Sequence, residues 1–87
     1  MDSVLHAGRV LDADGRGVAD ALVAVARGTA PTPEVAVRAD ADGWFRIALP
    51  PGEFQIEAGA PDGRKGRTTV ATNGGTVDVR IVVEAEP

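Results

Sequence analysis

The chain has 87 residues, 44% hydrophobic and 25% charged, with no cysteine, one histidine and a formal net charge of −4. This length fits one domain with a small core, and the composition argues against disulfide bonds, thiolate chemistry and a structural zinc site. The acidic balance argues against nucleic-acid binding, and no apolar run reaches the roughly 18 residues of a membrane span.

Apolar residues alternate along the chain with the period of two that is typical of half-buried β-strands. No stretch of the sequence shows the apolar spacing of an amphipathic helix. The alternation predicts seven strands, in chain order 4–11, 20–27, 35–39, 43–49, 53–58, 66–72 and 76–84. Their inward positions predict a core of Val10, Val23, Val25, Val37, Phe45, Ile47, Leu49, Phe54, Ile56, Val70, Val77, Val79 and Ile81.

Glycine combined with aspartate, asparagine or proline separates these strands, as tight turns require. Asn73-Gly74 predicts a hairpin between the sixth and seventh strands. Residues 28–34 contain two prolines and predict a segment that crosses between sheets or runs along a sheet edge. Because strands with one apolar face must cover it, we expect an all-β fold of two packed sheets.

Three segments of the chain carry the pattern of a known family. Residues 8–25 resemble the opening of carboxypeptidase regulatory-like domains, and residues 39–47 resemble their central T-D-x-D-G-x-F hairpin, with Ala39 in place of the threonine. Residues 49–56 resemble their L-P-P-G-x-Y/F-x-L turn and strand. The resemblance implies a seven-stranded antiparallel Greek-key β-sandwich, transthyretin-like and Ig-like, as a single domain over residues 1–87 with an ordered core at about 4–84.

The resemblance also carries functional expectations. In that family the domain is usually a non-catalytic part of something larger, which implies a protein partner or a fused domain. Such domains are commonly extracytoplasmic, whereas residues 1–3 show no feature of a signal peptide, so localisation stays open. The oligomeric state is equally open.

Enzymes of the same fold need residues that this chain lacks. Hydroxyisourate hydrolases share the Val-Leu-Asp of residues 10–12, but Arg9 stands where they carry a catalytic histidine. Intradiol dioxygenases bind iron through two tyrosines and two histidines, and this chain has no tyrosine. We therefore expect no catalytic residues and no enzymatic activity.

An isopeptide crosslink of the Cna B type is also disfavoured. Residues 57–63 resemble the segment in which such domains place their glutamate, with Glu57 at that position. The reacting lysine belongs on the first strand, which offers only Arg9, and a guanidinium does not lose a proton to become a nucleophile. The single lysine, Lys65, falls in a predicted turn and not on the first strand.

His6 is the only histidine, and we expect it to be a partly exposed edge residue of the first strand.

Paired aspartates before glycine occur twice, as Asp12-Ala13-Asp14-Gly15 and as Asp40-Ala41-Asp42-Gly43. This pattern is a feature of calcium loops, which makes Asp12, Asp14, Asp40 and Asp42 candidate calcium ligands. The full EF-hand spacing is absent, and plain β-turns explain the same residues. We predict no other cofactor.

Trp44 is the one aromatic residue that the alternation places outside the core, because Phe45 takes the inward position. An outward tryptophan next to Arg46 is typical of an interface anchor or a sugar-stacking platform. Alternatively, Trp44 is a cross-strand neighbour that covers the stem of Arg46 or Arg80.

A small basic cluster consists of Arg64, Lys65 and Arg67. These residues would contact an acidic partner, or they are solvated turn charges. The sequence therefore predicts a non-catalytic interaction or structural module, with a carbohydrate- or calcium-binding module built on Trp44 and the Asp-Gly loops as the alternative.

Overall fold

The computed structural model describes residues 3–32 and 36–85, which form two packed β-sheets. The three-stranded sheet has the order β4-β1-β7, and the four-stranded sheet has the order β3-β2-β5-β6. Neighbouring strands are antiparallel except β1 and β7, which are parallel. The predicted seven-stranded sandwich is confirmed. The strands are β1 (Val4–Leu11), β2 (Leu22–Gly28), β3 (Val37–Arg38), β4 (Trp44–Leu49), β5 (Gly52–Gly59), β6 (Lys65–Thr72) and β7 (Val79–Val82).

The connections between strands decide which sheet each strand joins. The predicted hairpin at Asn73-Gly74 is wrong, because β6 and β7 lie in different sheets and residues 73–78 cross between them. A turn signal of this kind specifies a reversal with positive φ, here 102° at Gly74, and does not specify the next pairing partner. The segment after β2 leads to β3 at a sheet edge, one of its two predicted courses; residues 33–35 lie outside the described part.

The inner faces of the two sheets meet in one hydrophobic core. All predicted core residues are buried except Val25, Val37 and Val77, which are partly buried and pack against the others. Both phenylalanines, Phe45 and Phe54, are buried in this core, as the alternation predicted. The core also holds residues that the alternation did not select: Val18, Ala21, Ala39, Ala58, Ala60 and Val83.

His6 is fully buried, which corrects the expectation of a partly exposed edge residue. The reason is that β1 is the central strand of its sheet and His6 points inward with Gly8 and Val10. Its Nδ1 accepts a hydrogen bond from the backbone N–H of Val77 at 3.1 Å. Val77 thus bonds to a side chain and not to a neighbouring strand, and it lies outside β7, which is shorter than the predicted 76–84.

The corner between β6 and β7 closes one side of the sandwich. The backbones of Lys65 and Glu84 exchange two hydrogen bonds of 3.0 Å. A Cβ atom at Gly66 would overlap the carbonyl oxygen of Val82, so the close approach requires glycine there. In the described part of the chain, no helix is long and apolar enough to cross a membrane.

Candidate functional site

The outer surface of the three-stranded sheet carries the candidate site, which we call the Trp44 face. Side chains alternate between the two sides of each strand. Phe45 on β4 and Ile81 on β7 point into the core, so the residues directly before and after each of them point to the solvent side. The face consists of Leu5, Ala7, Arg9 and Leu11 from β1, Trp44, Arg46 and Ala48 from β4, and Arg80 and Val82 from β7.

Strand register places three of these side chains in one row across the sheet. Arg9 is the direct neighbour of Trp44 on β4 and of Arg80 on β7. The guanidinium carbon of Arg9 lies 4.9 Å from the centroid of the Trp44 ring, within the range of a cation–π contact. The arginine over the Trp44 ring is therefore Arg9, which was not among the neighbours, Arg46 and Arg80, named for Trp44 in the sequence analysis as one alternative.

Arg9 is held in place from two directions. Besides the Trp44 ring, its Nε donates a hydrogen bond of 3.0 Å to the carbonyl oxygen of Asp42. Within the described residues its terminal Nη atoms have no hydrogen-bond partner and no carboxylate within salt-bridge distance. The Arg9 guanidinium is thus fixed at its Nε and over the Trp44 ring, while its Nη atoms keep their hydrogen-bonding capacity for a ligand.

The same face carries most of the large apolar side chains that remain exposed. Leu5 is 54% exposed, Trp44 50% and Val82 43%. Among the described residues, the other large exposed apolar side chain is Leu22, which lies on the four-stranded sheet. Exposed apolar and aromatic side chains beside arginines are the usual composition of a protein interface.

The structure separates the two groups of predicted binding residues. Trp44 and Arg46 lie together on the Trp44 face, whereas Arg64, Lys65 and Arg67 lie at the β5–β6 turn and on β6 of the other sheet. The description of all three as turn charges is wrong, because Lys65 begins β6 and Arg67 is within it.

Two of those three charges are also neutralised. Arg64 forms an ion pair with Asp62 at 2.9 Å, and Arg67 pairs with Glu57, its direct neighbour on β5. The hydrogen bond from the Arg64 guanidinium lowers the pKa of Asp62 below its ordinary value and raises that of Arg64. Because Arg64 and Arg67 each pair with a carboxylate of the domain itself, they leave little unpaired charge for a binding partner.

The aspartates of the candidate calcium loops make turn hydrogen bonds. The Oδ1 of Asp12 accepts backbone N–H groups from Asp14 and Arg16, both at 2.9 Å. The Oδ1 of Asp40 accepts equivalent bonds two and four residues further on, at 2.8 and 3.0 Å. The backbone bond from Arg16 lowers the pKa of Asp12. In the described part of the chain, no three His, Cys, Asp or Glu residues are grouped as a metal site.

One turn geometry occurs three times at this end of the sandwich, at residues 12–16, 40–44 and 60–64. In each turn the N–H of the first residue donates to the carbonyl of the fifth, and the N–H of the fourth donates to the carbonyl of the first. The fourth residue is always glycine with φ between 82° and 95°. The Asp-Gly repeats thus have a shared structural role as tight three-residue turns with a glycine bulge.

Sequence reasoning did not select Arg9 and Arg80 as binding residues. Their outward direction follows from alternation with Val10 and Val79, so that signal was available. The alternation does not predict that β1 pairs with both β4 and β7, because these pairings join strands that are far apart in the sequence. Only that pairing puts the two arginines next to each other and next to Trp44.

A comparison with protein-family models supports the resemblance seen in the sequence. The model of the carboxypeptidase regulatory-like domain matches residues 7–84. A search of curated proteins found no match. The matched range begins within β1 and ends just after β7, so it covers all seven strands of the sandwich. The chain belongs to the carboxypeptidase regulatory-like domain family.

Proposed function

We propose that this domain is a non-catalytic interaction module that holds a protein partner, or a neighbouring domain of the same protein, on its Trp44 face. Carboxypeptidase regulatory-like domains are non-catalytic and typically accessory to larger proteins. The observation that carries the proposal is the gathering of Leu5, Trp44 and Val82, all about half exposed, on one sheet surface.

Exposure of these side chains has a free-energy cost that a partner would remove. Covering apolar surface contributes about 25 cal/mol for each Å² removed from water. Tryptophan and arginine are also the residues that most often dominate binding energy at protein interfaces. The outer surface of the four-stranded sheet offers a partner fewer unpaired charged groups, since its Glu57 and Arg67 pair with each other.

A sugar platform at Trp44 has weaker support. Stacking of a sugar needs an open ring face, and Arg9 already lies over one face of the indole. Trp44 is also the single tryptophan of a chain without tyrosine, so the face lacks a second aromatic platform of that kind. Calcium binding also has weaker support, because the Oδ1 atoms of Asp12 and Asp40 already accept backbone hydrogen bonds of their own turns, which gives both aspartates a structural role without a metal.

Site-specific photo-crosslinking in the cells of origin tests the proposal on the full-length protein. A benzophenone amino acid is placed at Leu5 or Val82 on the Trp44 face, and at Thr69 or Ala71 on the outer surface of β6 as matched controls. We expect discrete protein adducts, or crosslinks to a neighbouring domain, from the first pair and not from the second. Adducts from the β6 positions alone, or equally from both surfaces, would contradict it.

A further inference from the structure

We propose that the Trp44 face recognises an acidic, extended peptide segment of its partner, with Arg9 and Arg80 as the carboxylate-binding pair. This inference rests on the proposed function and adds the chemistry of the ligand. It starts from the arrangement of positive charge in a chain whose formal net charge is −4.

The arginines of the Trp44 face are not neutralised by the protein itself. In the described residues the salt bridges join Arg64 to Asp62 and Arg67 to Glu57, both outside the face. Arg9, Arg46 and Arg80 have no such partner among the described residues, although Asp78 lines the same surface depression as Arg9 and Arg80 without reaching salt-bridge distance. Three unpaired guanidinium groups therefore share one small surface.

Arg9 and Arg80 are direct neighbours across two strands. Like charges in this position repel each other and destabilise a sheet. The repulsion disappears when a carboxylate binds between them, because one anion then interacts with both cations. The pairing thus has an unfavourable energy in the free domain that a carboxylate ligand relieves.

The geometry of Arg9 favours a ligand with a forked oxygen pair. The Trp44 ring and the carbonyl of Asp42 hold the guanidinium, so little side-chain entropy is lost when a ligand binds. The free Nη atoms form the planar edge that matches a carboxylate through two parallel hydrogen bonds. An open depression of about 430 Å³, which Arg9, Trp44 and Arg80 line in part, gives the ligand room.

The apolar part of the face favours a peptide over other polyanions. Leu5, Trp44 and Val82 add exposed apolar surface to the same face as the arginines, and a nucleic acid or a sulfated polysaccharide would leave that surface uncovered. The net negative charge of the domain also repels a long polyanion. An extended segment that carries acidic and apolar residues in turn at every second position can contact both the arginines and the apolar side chains, because side chains two apart in an extended chain lie about 7 Å from each other on one side.

Binding of defined peptides to the purified domain tests the inference. The probe is a fluorescein-labelled peptide of about ten residues in which Glu and Leu take turns at every second position with Ser between them, so that both face one side of the extended chain; it is long enough to cross the face. Its control has every Glu replaced by Gln. We expect saturable binding of the acidic peptide, at least about tenfold tighter than the Gln control, with an affinity that falls as salt screens the charges.

Variants assign the binding to the two arginines. Arg9→Gln/Arg80→Gln is expected to weaken acidic-peptide binding about tenfold or more. Arg64→Gln/Arg67→Gln changes the net charge by the same amount on the other sheet and should alter the affinity less than about twofold. Arg80→Gln alone serves where loss of the Arg9–Asp42 contact lowers stability, and thermal unfolding checks that each variant is folded.

Three results would overturn the inference: equal binding of the Glu and Gln peptides, equal loss in the two double variants, and tighter binding to heparin or phosphatidylserine vesicles than to the acidic peptide. Failure of the proposed function has a different signature. If crosslinks from Leu5 and Val82 persist in the Arg9→Gln/Arg80→Gln protein, the face is an interface that does not use these carboxylate contacts. If those crosslinks are absent in the unmodified protein, the interface itself is refuted.

Discussion

Replacement of Gly66 by alanine tests how the two sheets are joined, and the position of β7 on the Trp44 face depends on that junction. A Cβ atom at Gly66 would overlap the carbonyl oxygen of Val82 and lie 3.1 Å from a side-chain carbon of Ile81. Neither group is the end of a long flexible side chain. The substitution therefore forces β6 away from β7.

The magnitude follows from the contacts that must give way. Overpacking of this kind costs typically 1–3 kcal/mol, and we take about 2 for a single methyl group against backbone. The two hydrogen bonds between Lys65 and Glu84 contribute about 0.5–1.5 kcal/mol each when the strands separate. We expect Gly66→Ala to lower the free energy of unfolding by about 3–5 kcal/mol, and the melting temperature by roughly 12–40 °C for a domain of this size.

Gly59→Ala is the matched control, because Gly59 also lies in a strand and a Cβ atom there would meet no atom within 4 Å. Its backbone φ is not in the positive range, so alanine is tolerated and reduces the freedom of the unfolded chain. We expect a change of less than about 0.5 kcal/mol in urea unfolding. Equal destabilisation by the two substitutions would refute the proposed closure of the β6–β7 corner.

Three further predictions concern the core, the turns and the buried histidine. Phe54→Ala should cost about 3–5 kcal/mol in urea unfolding, whereas Trp44→Ala, at a half-exposed position, should cost less than about 1.5; equal costs would contradict the assigned faces. Asp12 and Asp62 have pKa values below the ordinary 3.8, so their stabilisation is present above pH 3.8 and is lost as pH falls through the lowered values. Asp12→Asn/Asp62→Asn should therefore flatten the loss of stability in acid, and an unchanged acid profile would argue against it. His6→Ala should lower the free energy of unfolding by about 3 kcal/mol in thermal unfolding. His6→Leu should lower it by at least about 1 kcal/mol less, because leucine keeps the side-chain volume and removes the unpartnered Nε2. A larger loss with leucine than with alanine would contradict the assignment of Nε2 as an unpartnered buried atom.

The strands and the large core residues could be predicted from the sequence because both depend on local alternation. Phe45, Ile47 and Leu49 point inward whatever strand lies beside them, and Pro50 ends β4 by removing a backbone donor. The small core residues could not be predicted from alternation, since an alanine such as Ala21 is compatible with either side of a strand.

Features that depend on pairing could not be read from the same pattern. Burial of His6 requires β1 to lie between β4 and β7, and the sequence contains no local sign of that order. The Arg9–Trp44 contact requires the register of β1 with β4, residues 35 positions apart in the chain. The candidate site was therefore found in part: Trp44 and Arg46 were selected correctly as outward residues, and their neighbours Arg9 and Arg80 were not.

The most direct test of the interaction account is a titration of the isotope-labelled domain with the acidic peptide, followed by two-dimensional NMR. Trp44 is the single tryptophan, so its indole N–H gives one isolated signal on the proposed surface. We predict that the largest shifts occur at this indole, at the Arg9 Nε–H and at the outward residues of β1, β4 and β7. An indole signal that does not move at saturation, with shifts concentrated on β5 and β6, would contradict the account.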